Sequence, residues 1–63
     1  MRILDILDLV EDTKLSIEII EKDSGASFNY YNKNTVPVEL LRKKAIEINV
    51  QYFQGTRFLV IKF

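Results

Sequence analysis

The sequence predicts a small α+β domain, in which a four-stranded antiparallel sheet carries two short helices on one face, in the order αββαββ. Three observations lead to this fold. The chain has 63 residues, enough for one domain spanning 1–63. Apolar residues recur at helical spacing near the start and again near residue 40. Segments 14–32 and 46–63 each show two alternating apolar–polar stretches around a turn that contains glycine.

Both expected helices are short and amphipathic. The first covers residues 2–11, where Ile3, Ile6, Leu7 and Val10 share one face. The second covers residues 37–43, because proline is well tolerated in a first helical turn. Its expected buried face consists of Val38, Leu41 and Ala45. Helices this short are marginal in water, so we expect both to pack against the sheet.

The first hairpin is expected to join strands over residues 14–21 and 26–32. The Lys-Asp-Ser-Gly segment between them has the residue types of a turn. A four-residue loop places Ile19 opposite Phe28, which brings the apolar sets of both strands to the same face.

The second hairpin shows the clearest register in the chain. With Gln54 and Gly55 as a two-residue loop, three apolar residues of one strand meet apolar residues of the other on a single face. The predicted pairs are Ile46–Phe63, Ile48–Ile61 and Val50–Leu59 on the core face, and Glu47–Lys62 on the other face. The last pair has opposite charges, which favours the same register.

The residue inventory argues against an enzyme. The chain contains no cysteine and no histidine, which excludes Ser–His and Cys–His nucleophiles and the usual zinc sites. Asp5, Asp8 and Asp12 could act as acid–base or cation-binding groups, but they lie opposite the apolar stripe, as carboxylates of a solvated helix do. We therefore expect no catalytic residues, no cofactor, no metal and no small-molecule substrate.

The charge distribution and the lengths of the apolar segments also indicate the cellular location of the protein. Net charge is zero, yet residues 1–31 carry seven acids against three bases, and residues 32–63 carry two acids against six bases. Packing of the two halves against each other would balance this difference. No segment reaches the length of a membrane span, and the start of the chain does not resemble a secretion signal. These features predict a cytoplasmic protein that does not bind membranes.

Protein binding is the first functional expectation. Two short helices can cover only one face of four strands, so the other face would keep several apolar and aromatic side chains. Aromatic residues of this kind are enriched in interface cores. The expected interface residues are Ile20, Tyr31, Phe53, Phe58 and Val60. Through this face we expect a homodimer, contact with another protein, or both.

Nucleic-acid binding is the alternative expectation. Phosphate binding requires several cations on one surface, and exposed tyrosines can stack on bases. The candidate residues are Lys33, Arg42, Lys43, Lys44 and Arg57. Basic residues after a helix also complement its dipole, which explains the Arg42–Lys44 run without a ligand.

The order of segments resembles that of short, mostly uncharacterised phage and prophage proteins of Gram-positive bacteria. The matching features are a Leu/Ile-rich opening helix, a Glu/Ile strand over 16–21, the helix start Val-Pro-Val-Glu-Leu-Leu at 36–41 and the closing hairpin. The resemblance implies no enzymatic activity and no particular binding residues. It implies a small protein that inhibits a host or defence protein by binding and occluding it.

Overall fold

The computed structural model, which describes residues 1–63, confirms a small α+β fold with a four-stranded sheet and two short helices. In chain order the elements are α1 (Ile3–Asp8), β1 (Ser16–Ile20), β2 (Ser27–Tyr30), a 3₁₀ turn (Lys33–Thr35), α2 (Val38–Leu41), β3 (Glu47–Phe53) and β4 (Thr56–Lys62). Both helices are shorter than predicted. The Asp5 carboxylate accepts a hydrogen bond of 3.0 Å from the backbone N–H of Arg2, which stabilises the first turn of α1.

The sheet is mixed, so the prediction of a purely antiparallel sheet is wrong. Its strand order is β2-β1-β4-β3, and the two central strands, β1 and β4, run parallel. Both strands also carry an apolar side chain on the face away from the helices, Ile20 in β1 and Val60 in β4, and a central position lets neighbouring strands shield these side chains at least partly. The strands with more polar outward faces, β2 and β3, occupy the edges.

Within each hairpin the predicted register is confirmed. Ile19 pairs with Phe28, and Ile48 and Val50 pair with Ile61 and Leu59. The ladder between β3 and β4 ends at Glu47–Lys62, so the predicted Ile46–Phe63 pair lies outside the paired strands. The Glu47 and Lys62 side chains form an ion pair of 3.2 Å.

The loop between β3 and β4 has two residues, both with positive φ. Gln54 has φ +49° and Gly55 has φ +80°, the combination that a type I′ turn requires. This turn matches the right-handed twist of paired strands, which is why a two-residue loop closes the hairpin and sets its register.

The hydrophobic core lies between α1 and the two central strands. It contains eight buried residues: Ile3, Ile6, Leu7, Ile17, Ile19, Val36, Leu59 and Ile61. Leu40 and Leu41 of α2 pack against this cluster from its margin. Val38 is exposed, which corrects its assignment to the buried face of the second helix.

The helices do not cover β3, which also corrects the expectation that its apolar row would be buried. Ile48 is 48 % exposed although its cross-strand partner Ile61 is completely buried. Ile46 and Val50 are exposed as well. With six and four residues, α1 and α2 are only about 9 and 6 Å long. They cover β1 and β4 and leave the row on β3 open to solvent.

Candidate functional site

The sheet face opposite the helices, called here the open face, carries the predicted interface residues. Strand alternation places Ile20, Phe53, Phe58 and Val60 on this face, because Ile19, Leu59 and Ile61 point into the core. Tyr31 directly follows β2 and is 88 % exposed, and Phe53 is 66 % exposed. Phe58 and Ile20 are partly buried. The open face therefore presents aromatic side chains to solvent.

Val60 is an exception among these predicted interface residues, because it is only 1 % exposed. It lies at the centre of the sheet, with Glu18 opposite it in β1 and Asn49 opposite it in β3. Side chains of the neighbouring strands enclose it, so Val60 supports the open face and offers almost no surface to a partner.

Two shallow depressions of the open face meet at Phe58. One, of about 360 Å³, lies beside Tyr30 and Tyr31. The other, of about 230 Å³, lies beside Gln51 and Phe53. Phe58 and Asn29 border both depressions. We refer to Asn29, Tyr31, Gln51, Phe53 and Phe58 together as the aromatic groove.

The polar groups of the aromatic groove are mostly uncharged. The side-chain amides of Asn29 and Gln51 make no hydrogen bond within the protein. The one carboxylate bordering the groove is that of Glu18, which accepts a 2.8 Å hydrogen bond from the Ser27 hydroxyl. No lysine or arginine lines either depression. The groove thus combines aromatic surface with free amide donors and acceptors.

Two of the five predicted nucleic-acid contacts have polar partners within the protein. The Arg57 guanidinium lies 3.3 Å from the Asp12 carboxylate, an ion pair that joins the basic and acidic halves of the chain. The Lys33 ammonium donates a hydrogen bond to the backbone carbonyl of Val10, just after α1. The side chains of Lys33 and Arg57 therefore contact polar groups elsewhere in the same chain.

Arg42, Lys43 and Lys44 follow α2 as one consecutive basic run. The backbone of Lys44 forms a β-bridge with Arg2, whose guanidinium lies 3.9 Å from the Asp5 carboxylate. Lys43 stands 5.9 Å above the Phe63 ring, within cation–π distance. None of the side chains of this run, Arg42, Lys43 and Lys44, takes part in an ion pair with a carboxylate.

The carboxylates do not assemble a metal site. No group of three or more aspartate, glutamate, histidine or cysteine side chains lies close enough to hold an ion. Asp5 is engaged by Arg2, and Asp12 accepts hydrogen bonds from the Lys14 backbone and from Arg57. All ionisable side chains are at least partly solvent-exposed.

The sequence did not indicate two features of this surface. Asn29 and Gln51 are not among the interface residues expected from the sequence, whereas the structure places their amides beside the aromatic rings. The apolar row Ile46, Ile48 and Val50 was expected in the core and is exposed. Only the shortness of both predicted helices could have indicated this exposure in advance.

Comparison with protein-family models, with curated proteins and with solved structures finds no match to this chain. None of its helices combines the length and the apolar character needed to cross a bilayer.

Proposed function

We propose that this protein is a non-enzymatic interaction module, which binds and occludes a surface of another protein through the aromatic groove. The observation that carries the proposal is the pair of exposed rings, Tyr31 and Phe53, on either side of the partly buried Phe58. Aromatic anchors of this type contribute most of the free energy in many protein interfaces. The resemblance to small phage proteins suggests a host or defence protein as the partner.

The chemistry around the rings supports a protein surface as the ligand. Tyrosine and phenylalanine give a large contact area for few rotatable bonds, and asparagine and glutamine supply adaptable hydrogen bonds. A groove without cations offers nothing to neutralise phosphate groups. The expected binding epitope is therefore uncharged at its centre, with apolar side chains and backbone amides that fit between the rings.

The test compares affinity capture by the wild type, by Tyr31→Ala/Phe53→Ala and by Leu9→Ala. Loss of one anchor is expected to weaken binding by about 2 kcal/mol, or roughly 30-fold. Leu9 is a matched control because its exposure, 72 %, lies between those of Phe53 and Tyr31, but it follows α1, away from the open face. A protein retained by the wild type and by Leu9→Ala should be lost with the double variant. Equal capture by all three proteins would contradict the proposal.

A second candidate function, nucleic-acid binding, is supported by the basic run Arg42, Lys43 and Lys44, because none of these side chains is paired with a carboxylate. Three phosphate contacts predict roughly a 40-fold loss of affinity when the salt concentration rises fourfold. Gel retardation of DNA and RNA at low salt, with Arg42→Gln/Lys43→Gln/Lys44→Gln as the comparison, measures this effect. Absence of retardation by the wild type at low salt would exclude this function.

A further inference from the structure

Strand β3 has an unpaired edge along its whole length. It is the last strand of the sheet and has seven residues, so it extends about 23 Å. The two-residue loop is closed by Phe53 and Thr56, and hydrogen-bonded and non-bonded pairs alternate from there. The backbone N–H and C=O groups of Ile48, Val50 and Tyr52 therefore point away from β4 and have no partner strand.

This edge lacks the features that usually prevent strand pairing. Exposed edges are commonly protected by lysine, proline or inward-pointing charge. No charged residue and no proline occurs from Ile48 to Thr56, although 29 % of the whole chain is charged. The side chains of Ile48, Val50 and Tyr52 are also exposed, so an apolar row and an open hydrogen-bonding edge coincide on β3.

We propose that β3 pairs antiparallel with β3 of a second copy of this chain, centred on Val50, to form a symmetric dimer with a continuous eight-stranded sheet. In this register Val50 faces Val50 of the second copy, and Ile48 faces its Tyr52. All three are residues whose backbone groups point outward, so each pair forms two hydrogen bonds.

Self-complementarity selects this register over the others. On the open face the same register places Asn49 opposite Gln51 of the second copy, and no like charges meet. A pairing centred on Ile48 would bring Tyr52 against Lys44, whose backbone already bridges to Arg2. A pairing centred on Tyr52 would place Val50 opposite Gln54 in the turn. A pairing centred on Asn49 or Gln51 would match fewer outward residues, because Tyr52 would then face Ile46, whose N–H already bonds to Lys62, or Ile48 would face Gln54 in the turn. Odd offsets would place outward backbone groups opposite groups that point to β4.

The choice of a second copy, rather than an open-ended fibre, follows from the two edges of the sheet. The opposite edge, β2, has only four residues, so it cannot pair with all the free backbone groups of the seven-residue β3. Pairing of β3 with itself uses the same surface on both subunits and closes the assembly at two. The two-fold axis is perpendicular to the sheet, so both aromatic grooves lie on the same side of the dimer. This inference does not depend on what the grooves bind.

The first experiment measures molar mass by light scattering over a micromolar concentration series for the wild type, Val50→Lys and Asn49→Lys. The wild type is expected to approach twice its 7.4 kDa chain mass. Val50→Lys places two ammonium groups directly opposite each other and should raise the dissociation constant at least about tenfold. Asn49→Lys has the same charge on the same strand but faces Gln51, so it should remain dimeric. Circular dichroism checks that each variant folds, which is expected because Val50 is 54 % exposed.

A second experiment tests the register by disulfide trapping, since the chain has no cysteine of its own. Two Val50→Cys subunits would have Cα atoms about 5.5 Å apart, within disulfide range. Two Gln51→Cys subunits would be diagonal neighbours about 7–8 Å apart, too far for the bond. Mild oxidation should therefore trap only the first variant as a covalent dimer. Any one of four results would overturn the proposal. These are a monomeric wild type, a mass that grows beyond the dimer, a dimer that survives Val50→Lys, and equal trapping of both cysteine variants.

Discussion

Ile61→Ala is expected to unfold most of the protein under conditions where the wild type is folded. Ile61 is completely buried in β4, one of the two central strands, and belongs to the eight-residue core. Truncation of a buried isoleucine to alanine costs about 2–5 kcal/mol, because the lost contacts leave a cavity. A 63-residue chain without disulfides has a small total stability, so this loss is a large fraction of it. Urea denaturation followed by circular dichroism measures the difference.

Ile48→Ala is the matched control for this variant. Ile48 is the direct cross-strand partner of Ile61 and has the same side chain, but it is half exposed on the uncovered edge strand. Because much of its side chain already contacts water, its truncation should cost less than about 1 kcal/mol. Equal losses of stability for the two variants would contradict the burial difference between β4 and β3. If β3 pairs in a dimer, Ile48→Ala should also weaken association without unfolding the monomer.

Val60→Asp is expected to give the second largest loss of stability, roughly 3 kcal/mol or more. Although Val60 is on the open face, it is buried, and an aspartate there would have to leave water without a partner. The residue directly opposite in β1 is Glu18, so a new carboxylate would also face a like charge. Thermal and urea unfolding curves should shift strongly to lower stability.

Phe58→Asp tests the same face at a more exposed position. It lies two residues before Val60 on the same strand, and its ring is only partly buried. We expect a smaller loss of stability than for Val60→Asp, together with loss of binding at the aromatic groove. A Val60→Asp protein as stable as the wild type would show that this part of the sheet is open to solvent.

The parts of the fold that depend on neighbouring residues could be predicted from the sequence. The register of both hairpins follows from side-chain alternation and loop length, because a slip of one residue would turn every apolar side chain to the other face. The turn at Gln54 and Gly55 and the apolar face of α1 could be predicted for a similar reason, because both depend on residues close along the chain. The Glu47–Lys62 ion pair follows directly from that register.

The candidate site could be predicted only in part. Alternation assigned Tyr31, Phe53 and Phe58 to one face, since strand geometry determines which side a residue occupies. It could not show that Val60, assigned to that face in the same way, would be enclosed by its neighbours. Exposure depends on which strands flank a residue, and a central strand buries positions that an edge strand leaves open.

The sequence by itself determined two hairpins, their internal registers and two short amphipathic helices, because each depends on contacts between residues close along the chain. Only the tertiary structure decided that β1 and β4 join in parallel, and that β3 becomes an edge with an exposed apolar row. How two hairpins associate depends on the combined burial of both sheet faces and on the reach of the helices. Those quantities are set by packing between distant segments, and the pattern of a single segment does not contain them.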